Sequence, residues 1–519
     1  MTRWFARVLA GLLVCLGVGG WQGTVLTSRH VHRTERMTAT KIRRHPLVTV
    51  RTAGGATLIA RLQTSTVKAG MANRLVLDDV CPAGTTCTGS TVVSIADYGS
   101  PARLAYQQYL GNPMGPTLTM TAGQTRVVSL SVETVAGLYH VLVSGTGFAA
   151  SLTYRVVPNR VSGFLATVSP SPFLVGGDAA EVTVSAVDAY GNPVPGTSLP
   201  VHVAMRGQGL HLRVLATRIN GKGVVAVLTA GRVPKAATVL VTSPQFPRQE
   251  MALPVHVISS PADLVAGKGA WVSLATWDAL GPSLIFQRLA EEGVTHLYLQ
   301  TTVGKSFFAA HILDQFLTAA HNRGIAVIAW DYAPLTAVAA DSRAAAAALH
   351  FQTPLGAQVD GLAGDFEQNL SPSAVAQFSR AVRAAAGAER AYVAVIYAPQ
   401  FGFPTPLPTL AQFVNVIAPM DYWLGSPHVL SAADVSRFVL TSIRLIRQSL
   451  GAHQLPIEII GQTQDLLDNS GFGRYNPPVY QLQAAYMAAR AGGAIGLSFY
   501  DLRTQTPAQV RAIARLQYP

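Results

Sequence analysis

From residue 262 to the end of the chain, apolar runs alternate with alanine-rich amphipathic stretches, and no other feature restricts the fold as much. The runs GAWVSLAT, THLYLQT, IAVIAWDY, QVDGLAGDFE, AYVAVIYA, FVNVIAPMDYW, PIEIIGQT and AIGLSFYD read as strands. Between them lie helix candidates such as PSLIFQRLAEEG, ILDQFLTAAHNRG, SAVAQFSRAVRAAAG, SAADVSRFVLTSIRLIRQSLG and PVYQLQAAYMAARAG. Several end in glycine, which a helix C-terminus prefers. Eight strands alternating with helices over about 255 residues is the count of a (β/α)8 TIM barrel. A doubly wound open sheet is the alternative, but no glycine-rich phosphate loop follows the first strand.

The chain has 519 residues, too many for one compact core, and the sequence upstream of the barrel has a different texture. From about 48 to 159, runs such as HPLVTVRTAGGATLIARL, STVVSIADYG and TRVVSLSVETVAGLYHVLVSG alternate in polarity and are punctuated by glycine and proline, which predicts an all-β sandwich. A second such unit runs from about 160 to 258. In its clearest piece, AEVTVSAVDAYGNPVPG, Val182, Val184 and Ala186 share one face, Thr183 and Ser185 the other, and Gly191-Asn192-Pro193 makes the turn. This piece resembles the bacterial immunoglobulin-like modules of surface proteins such as invasins, which implies a spacer or adhesion module. The small-residue stretch SSPADLVAGKG reads as a linker to the barrel.

The chain starts MTRWFARVLAGLLVCLGVGGW, with Arg3 and Arg7 ahead of an apolar stretch shorter than the ~20 residues of a membrane span. That is a signal-peptide pattern, with an uncleaved anchor as the alternative. The expected organisation is therefore 1–24 signal peptide or membrane anchor, 25–47 basic linker, 48–159 and 160–258 β-sandwich domains of immunoglobulin-like type, and 262–519 barrel. The product is expected to be secreted or held at the cell surface.

A net charge of +13 raises the question of nucleic acid, but the charge is uneven. From residue 262 onward there are 16 Lys and Arg against 17 Asp and Glu, and much of the excess falls in RHVHRTERMTATKIRRH. That run has no aromatic interleaving and belongs to no recognisable nucleic-acid module, so nucleic acid is not an expected partner. A basic linker drawn to an anionic membrane or cell wall is. Cys81 and Cys87, in CPAGTTC, are expected to form a short-range disulfide in an exported protein, worth roughly 2 kcal/mol for so short a loop. No HExxH, CxxC or His cluster of metal spacing occurs, so no metal or other cofactor is expected.

Barrel active sites form at the C-terminal ends of the strands, so the residues closing each run are the candidates. These include Asp278, Asp331, Asp365, Glu367, Asp421, Gln462 and Asp501. In the fourth run Ala363, Asp365 and Glu367 share one parity and Asp360 does not. At ~3.3 Å per residue the two acids stand about 7 Å apart along the strand, within reach of each other's charge. A carboxyl beside a negative charge holds its proton more tightly, as a general acid for glycosidic cleavage must. Trp330, Tyr332, Tyr422 and Trp423 are candidates for stacking on sugar rings.

DGLAGDFE resembles the fourth-strand signature DGxDxDxE of family 18 glycoside hydrolases, the chitinase superfamily, through Asp360, Gly361, Asp365 and Glu367. APMDYW resembles that family's Met-x-Tyr, through Met420 and Tyr422. The resemblance implies that Glu367 protonates the leaving oxygen, that Asp365 orients the substrate's acetamido group, and that Tyr422 hydrogen-bonds it as its carbonyl attacks the sugar carbon. Asp360, Trp330, Asp331, Tyr332, Met420, Asp421, Trp423, Gln462, Phe499, Tyr500 and Asp501 are then the expected substrate-binding set. The chain departs from the family at Ala363, where an acid is usual, and in GGAIGLSFYDL, which lacks a Trp that Phe499 or Tyr500 would replace, although Leu497 also aligns. VSLATW, RLAEEGVTHLYLQTT and HNRGIAVIAWDY also resemble the family 25 muramidases. The expected function is an exported glycosidase acting on a chitin- or peptidoglycan-type polysaccharide. The alternatives are a non-catalytic, lectin-like carbohydrate-binding surface protein and a family 25-like muramidase.

Overall fold

The computed structural model describes residues 47–51, 56–87, 90–98, 117–425, 431–463 and 476–518. The expected signal or anchor and nearly all of the basic linker lie outside these residues. Among the described residues, no helix is long and apolar enough to cross a membrane. The chain divides into two compact units at Val157/Pro158.

In the first unit, strands Leu47–Arg51, Thr57–Leu62, Ala72–Val80 and Thr125–Val132 form one sheet. Thr66–Lys68, Phe148–Val157, Gly137–Gly145, Ser90–Tyr98 and Thr117–Thr121 form a second. Alternation puts Leu58, Leu62, Leu75 and Leu77 of the first sheet in one core with Val141, Val143, Leu152 and Tyr154 of the second. The Cys81 and Cys87 sulfurs are joined, with Cα atoms 5.9 Å apart.

The second unit begins with a second pair of sheets, each of four strands. Gly163–Ser169, Ala179–Val187, Lys222–Ala230 and Leu210–Val214 form one, and Phe173–Val175, Glu250–Ile258, Lys235–Thr242 and His202–Gly207 the other. Val182, Val184 and Ala186 enter the shared core as the alternation predicts. Thr183 and Ser185, on the opposite face, are buried as well, so this sheet does not present one wet face. Asp188 organises the turn after the strand. Its carboxylate accepts from the amides of Asn159, Tyr190 and Asn192 and from the Asn192 side chain, and these bonds draw its pKa below the usual carboxylate value against the opposing effect of burial.

The barrel follows. Its strands are Gly267–Val272, His296–Val303, Ala326–Tyr332, Gly361–Phe366, Ala391–Tyr397, Val416–Met420, Glu458–Gln462 and Gly496–Tyr500. Each pairs in parallel with the next, and the first pairs with both the second and the eighth, which closes the cylinder. The first strand is shorter than GAWVSLAT suggests. Ser273 accepts from the Thr276 amide and caps the helix Leu274–Glu292, so the chain turns helical three residues early. Even-numbered residues of the third strand, Ile328 and Trp330, and odd-numbered residues of the fourth and fifth, Ala363, Val393 and Val395, fill the interior.

The stretch read as a linker is an ordered stopper. Ser260 and Asp263 form a capping box around the 3-10 helix Pro261–Val265, which places Ala262, Leu264 and Val265 in the barrel core beside Phe173 and Ile258 of the sandwich. The sandwich is also tied to this floor directly. Ser171 donates to Asp360, Asn322 Nδ2 to the Ala166 carbonyl at 3.1 Å, and the Gln358 amide to the Pro170 carbonyl at 2.9 Å.

Candidate functional site

Asp365 is the fifth residue of the fourth strand and Glu367 is the first beyond its end, so alternation turns both into the barrel at its C-terminal mouth, above the buried methyl of Ala363. Trp330, on the neighbouring third strand, donates its indole Nε1–H to Asp365 Oδ2 at 3.1 Å. Asp365 Oδ1 is buried and has no hydrogen-bond partner among the described residues. Tyr397 closes the fifth strand and hydrogen-bonds the Glu367 carboxyl.

Burial pushes both acids up. Asp365 is held well above the usual carboxylate range by desolvation, then by the charges of Glu367 and Asp331, against the indole bond that favours its ionised form. Glu367 is pushed up to about 7 by desolvation, with the Tyr397 bond opposing. Tyr422, beyond the sixth strand, and Tyr500, closing the eighth, both feel the charges of Asp365 and Glu367, and burial is the main cause of their raised pKa values. Their ring centroids are 6.2 Å apart. Tyr500 also meets the Trp330 ring edge-on at 6.0 Å, and Trp271 meets it at 5.1 Å. Two carboxylates therefore sit in a cup of phenols and an indole. Such a cup can donate a proton to a polar group and hydrogen-bond it.

The remaining sequence candidates separate by parity. Met420 is in the barrel core, with Tyr422 packed against it. Gln462 accepts from the Leu424 amide at 3.0 Å and braces the turn after the sixth strand. Tyr332 accepts from Gln368 Nε2 at 2.9 Å at the mouth. Asp421 instead faces the helices and takes the hydroxyl of Ser442 in Ala432–Leu450. Trp423 is fully buried and donates to Gln481 of helix Val479–Ala491, and Phe499 packs on the same outer side, over Gly461. Asp501 accepts from Thr276 at 2.7 Å and from the Arg503 and Thr504 amides as a helix cap. Asp331 is buried behind the wall, next to Asp341, which raises it further.

Asp360 lies elsewhere. It precedes the fourth strand at the closed end, where it accepts from Ser171 and from the Val327 amide at 2.7 Å and pairs with His321 at 2.9 Å. It is a structural tie and does not reach the mouth. Tyr397 was not among the sequence candidates, although its place at the C-terminal end of AYVAVIYA, next to last, was the signal that would have found it. Among the described residues no group of three or more His, Cys, Asp and Glu is placed to hold a metal ion.

No family model matches the chain, and no curated protein matches it. Among solved structures, the chain is similar to a family 18 N-acetylglucosaminidase from Paenibacillus barengoltzii (13% identity over 48% of this chain and 99% of that one, TM-score 0.35). It is also similar to a chitinase from Rhizomucor miehei (13%, 48% and 99%, TM-score 0.36) and to the spore cortex-lytic enzyme of Bacillus cereus (11%, 50% and 76%, TM-score 0.37). Each of these likenesses covers about half of this chain.

Proposed function

We propose that the barrel is a glycoside hydrolase for polysaccharides that carry acetamido sugars, with Glu367 as the general acid. The observation that carries this is the pair of inward carboxyls at the mouth, one held by a fixed indole and the other raised to about 7 beside a phenol. A carboxyl in that range is still substantially protonated near neutrality and can protonate a glycosidic oxygen. Asp365 Oδ1, buried and open, is the acceptor for an amide N–H of the substrate, and the Tyr422 hydroxyl is the donor for the acetamido oxygen as it attacks the sugar carbon.

In this proposal the protein is exported, the two sandwiches are immunoglobulin-like spacer modules, and the basic segment near the start contacts the envelope. The test is Glu367→Gln assayed on chromogenic N-acetylglucosamine oligomers. The variant should keep its melting curve and its sugar binding while turnover falls roughly 10²-fold or more, the scale of a lost general acid. Substrates without the acetamido group should react poorly even with the intact protein, and equal reactivity would favour a muramidase-like course. Wild-type protein that binds chitin or peptidoglycan fragments and cleaves none at any pH, with binding unchanged in Glu367→Gln, would instead support the lectin-like alternative, which the methyl of Ala363 below Asp365 also favours.

A further inference from the structure

Asp365 and Glu367 stand two residues apart, facing inward at the end of one strand, so each influences the other's ionisation, and whichever keeps its proton near neutrality is the acid. The groups facing the pair are Trp330 from the third strand, Tyr397 from the fifth, Tyr422 after the sixth and Tyr500 from the eighth, while Asp331, behind the third strand, adds its charge to Asp365 through the wall. Trp330 differs from the phenols in one respect: an indole N–H can only donate, whereas a tyrosine hydroxyl donates or accepts. The hydroxyl of Tyr397 therefore serves Glu367 protonated or ionised, while the bond from Trp330 to Asp365 is strongest when Asp365 is charged.

The indole cannot easily turn away. It is buried, with Trp271 on one side and Tyr500 on another, and its register partner across the strands is Ala363. No acid lies below Asp365 on the strand's inward face to compete for that role. We propose that Trp330 is the positioning residue that works against the burial of Asp365, drawing the negative charge of the pair toward Asp365 and so favouring the proton on Glu367. This rests on Glu367 acting as the proton donor. It assigns to an aromatic residue, read from the sequence as a sugar-stacking platform, the task of deciding which carboxyl is the acid.

Two measurements on the full chain test this. In Trp330→Phe, Asp365 loses its donor, holds its proton more tightly and relieves Glu367 of a neighbouring charge, so Glu367 ionises at lower pH. The alkaline limb of the kcat/KM profile should move down by about one pH unit, the scale of one hydrogen bond to a charged group. The second measurement needs no turnover. With 15N-labelled tryptophan, the six indole N–H signals resolve Trp330, which should shift with pH in wild type and become pH-independent in Asp365→Asn. A folded Trp330→Phe whose alkaline limb does not move overturns the proposal, as does a Trp330 signal in wild type that ignores pH. If Trp330→Phe does not fold, the indole titration decides alone. If wild type cleaves no sugar, the glycosidase proposal fails while the indole titration still decides this one.

Discussion

His321 Nε2 and Asp360 Oδ2 lie 2.9 Å apart, both buried, at the closed end of the barrel. The pair joins the helix Ala310–His321 to the start of the fourth strand, and Ser171 reaches it from the sandwich. Removing one member of a buried pair leaves the other uncompensated, which typically costs 3–5 kcal/mol. His321→Ala and Asp360→Asn should each lose roughly that much in urea unfolding at neutral pH. Sugar binding by the surviving folded fraction should not change. Loss of binding without loss of stability would place Asp360 back among the substrate contacts.

The sequence predicts that the barrel folds alone from about residue 262. The stopper helix begins at Pro261, and Phe173 and Ile258 pack against the core it completes. A chain starting at residue 158 should therefore melt at higher temperature than one starting at 262. Equal midpoints in differential scanning calorimetry would restore independence to the barrel.

The raised Glu367 carboxyl sets two pH dependences. In its proposed role as general acid it must be protonated, so kcat/KM should fall as pH rises through about 7. For stability the sign is the same. The folded state binds this proton more tightly than the unfolded chain, whose carboxyl titrates near 4.5, so the contribution is complete below about 4.5 and is lost as pH rises to about 7. Glu367→Gln should accordingly be more stable than wild type at pH 8, by roughly 1–3 kcal/mol, and indistinguishable from it at pH 4. Identical melting curves at pH 8 would show that the carboxyl is not held above its usual range.

Cys81 and Cys87 should resist alkylation in unreduced protein and react after reduction, with a loss of roughly 2 kcal/mol confined to the first unit. Mass spectrometry that finds both cysteines labelled without reductant would reject the bridge.

The barrel was legible because its signal is repeated: eight apolar runs at regular spacing leave few closed solutions. Asp365 and Glu367 were legible for a second reason, the parity of a single strand. The errors came from not applying that parity everywhere. Asp331 sits between inward Trp330 and Tyr332, and Asp421 between inward Met420 and Tyr422, so each was bound to face the helices. Asp360 could not have been placed from its own neighbourhood, because Ser171 lies 189 positions away along the chain. The indole bond of Trp330 was hidden for the same reason. It joins residues 35 positions apart whose proximity exists only once the third and fourth strands are paired.

The stopper Pro261–Val265 gives the barrel one blind end. The sandwich that precedes residue 261 packs on the strand starts, while the loops that follow the strand ends leave from the other rim. Changes on the sandwich side can therefore leave the carboxyl pair undisturbed, and changes to the rim can leave the sandwich contacts intact. The two ends of one cylinder are separate structural problems.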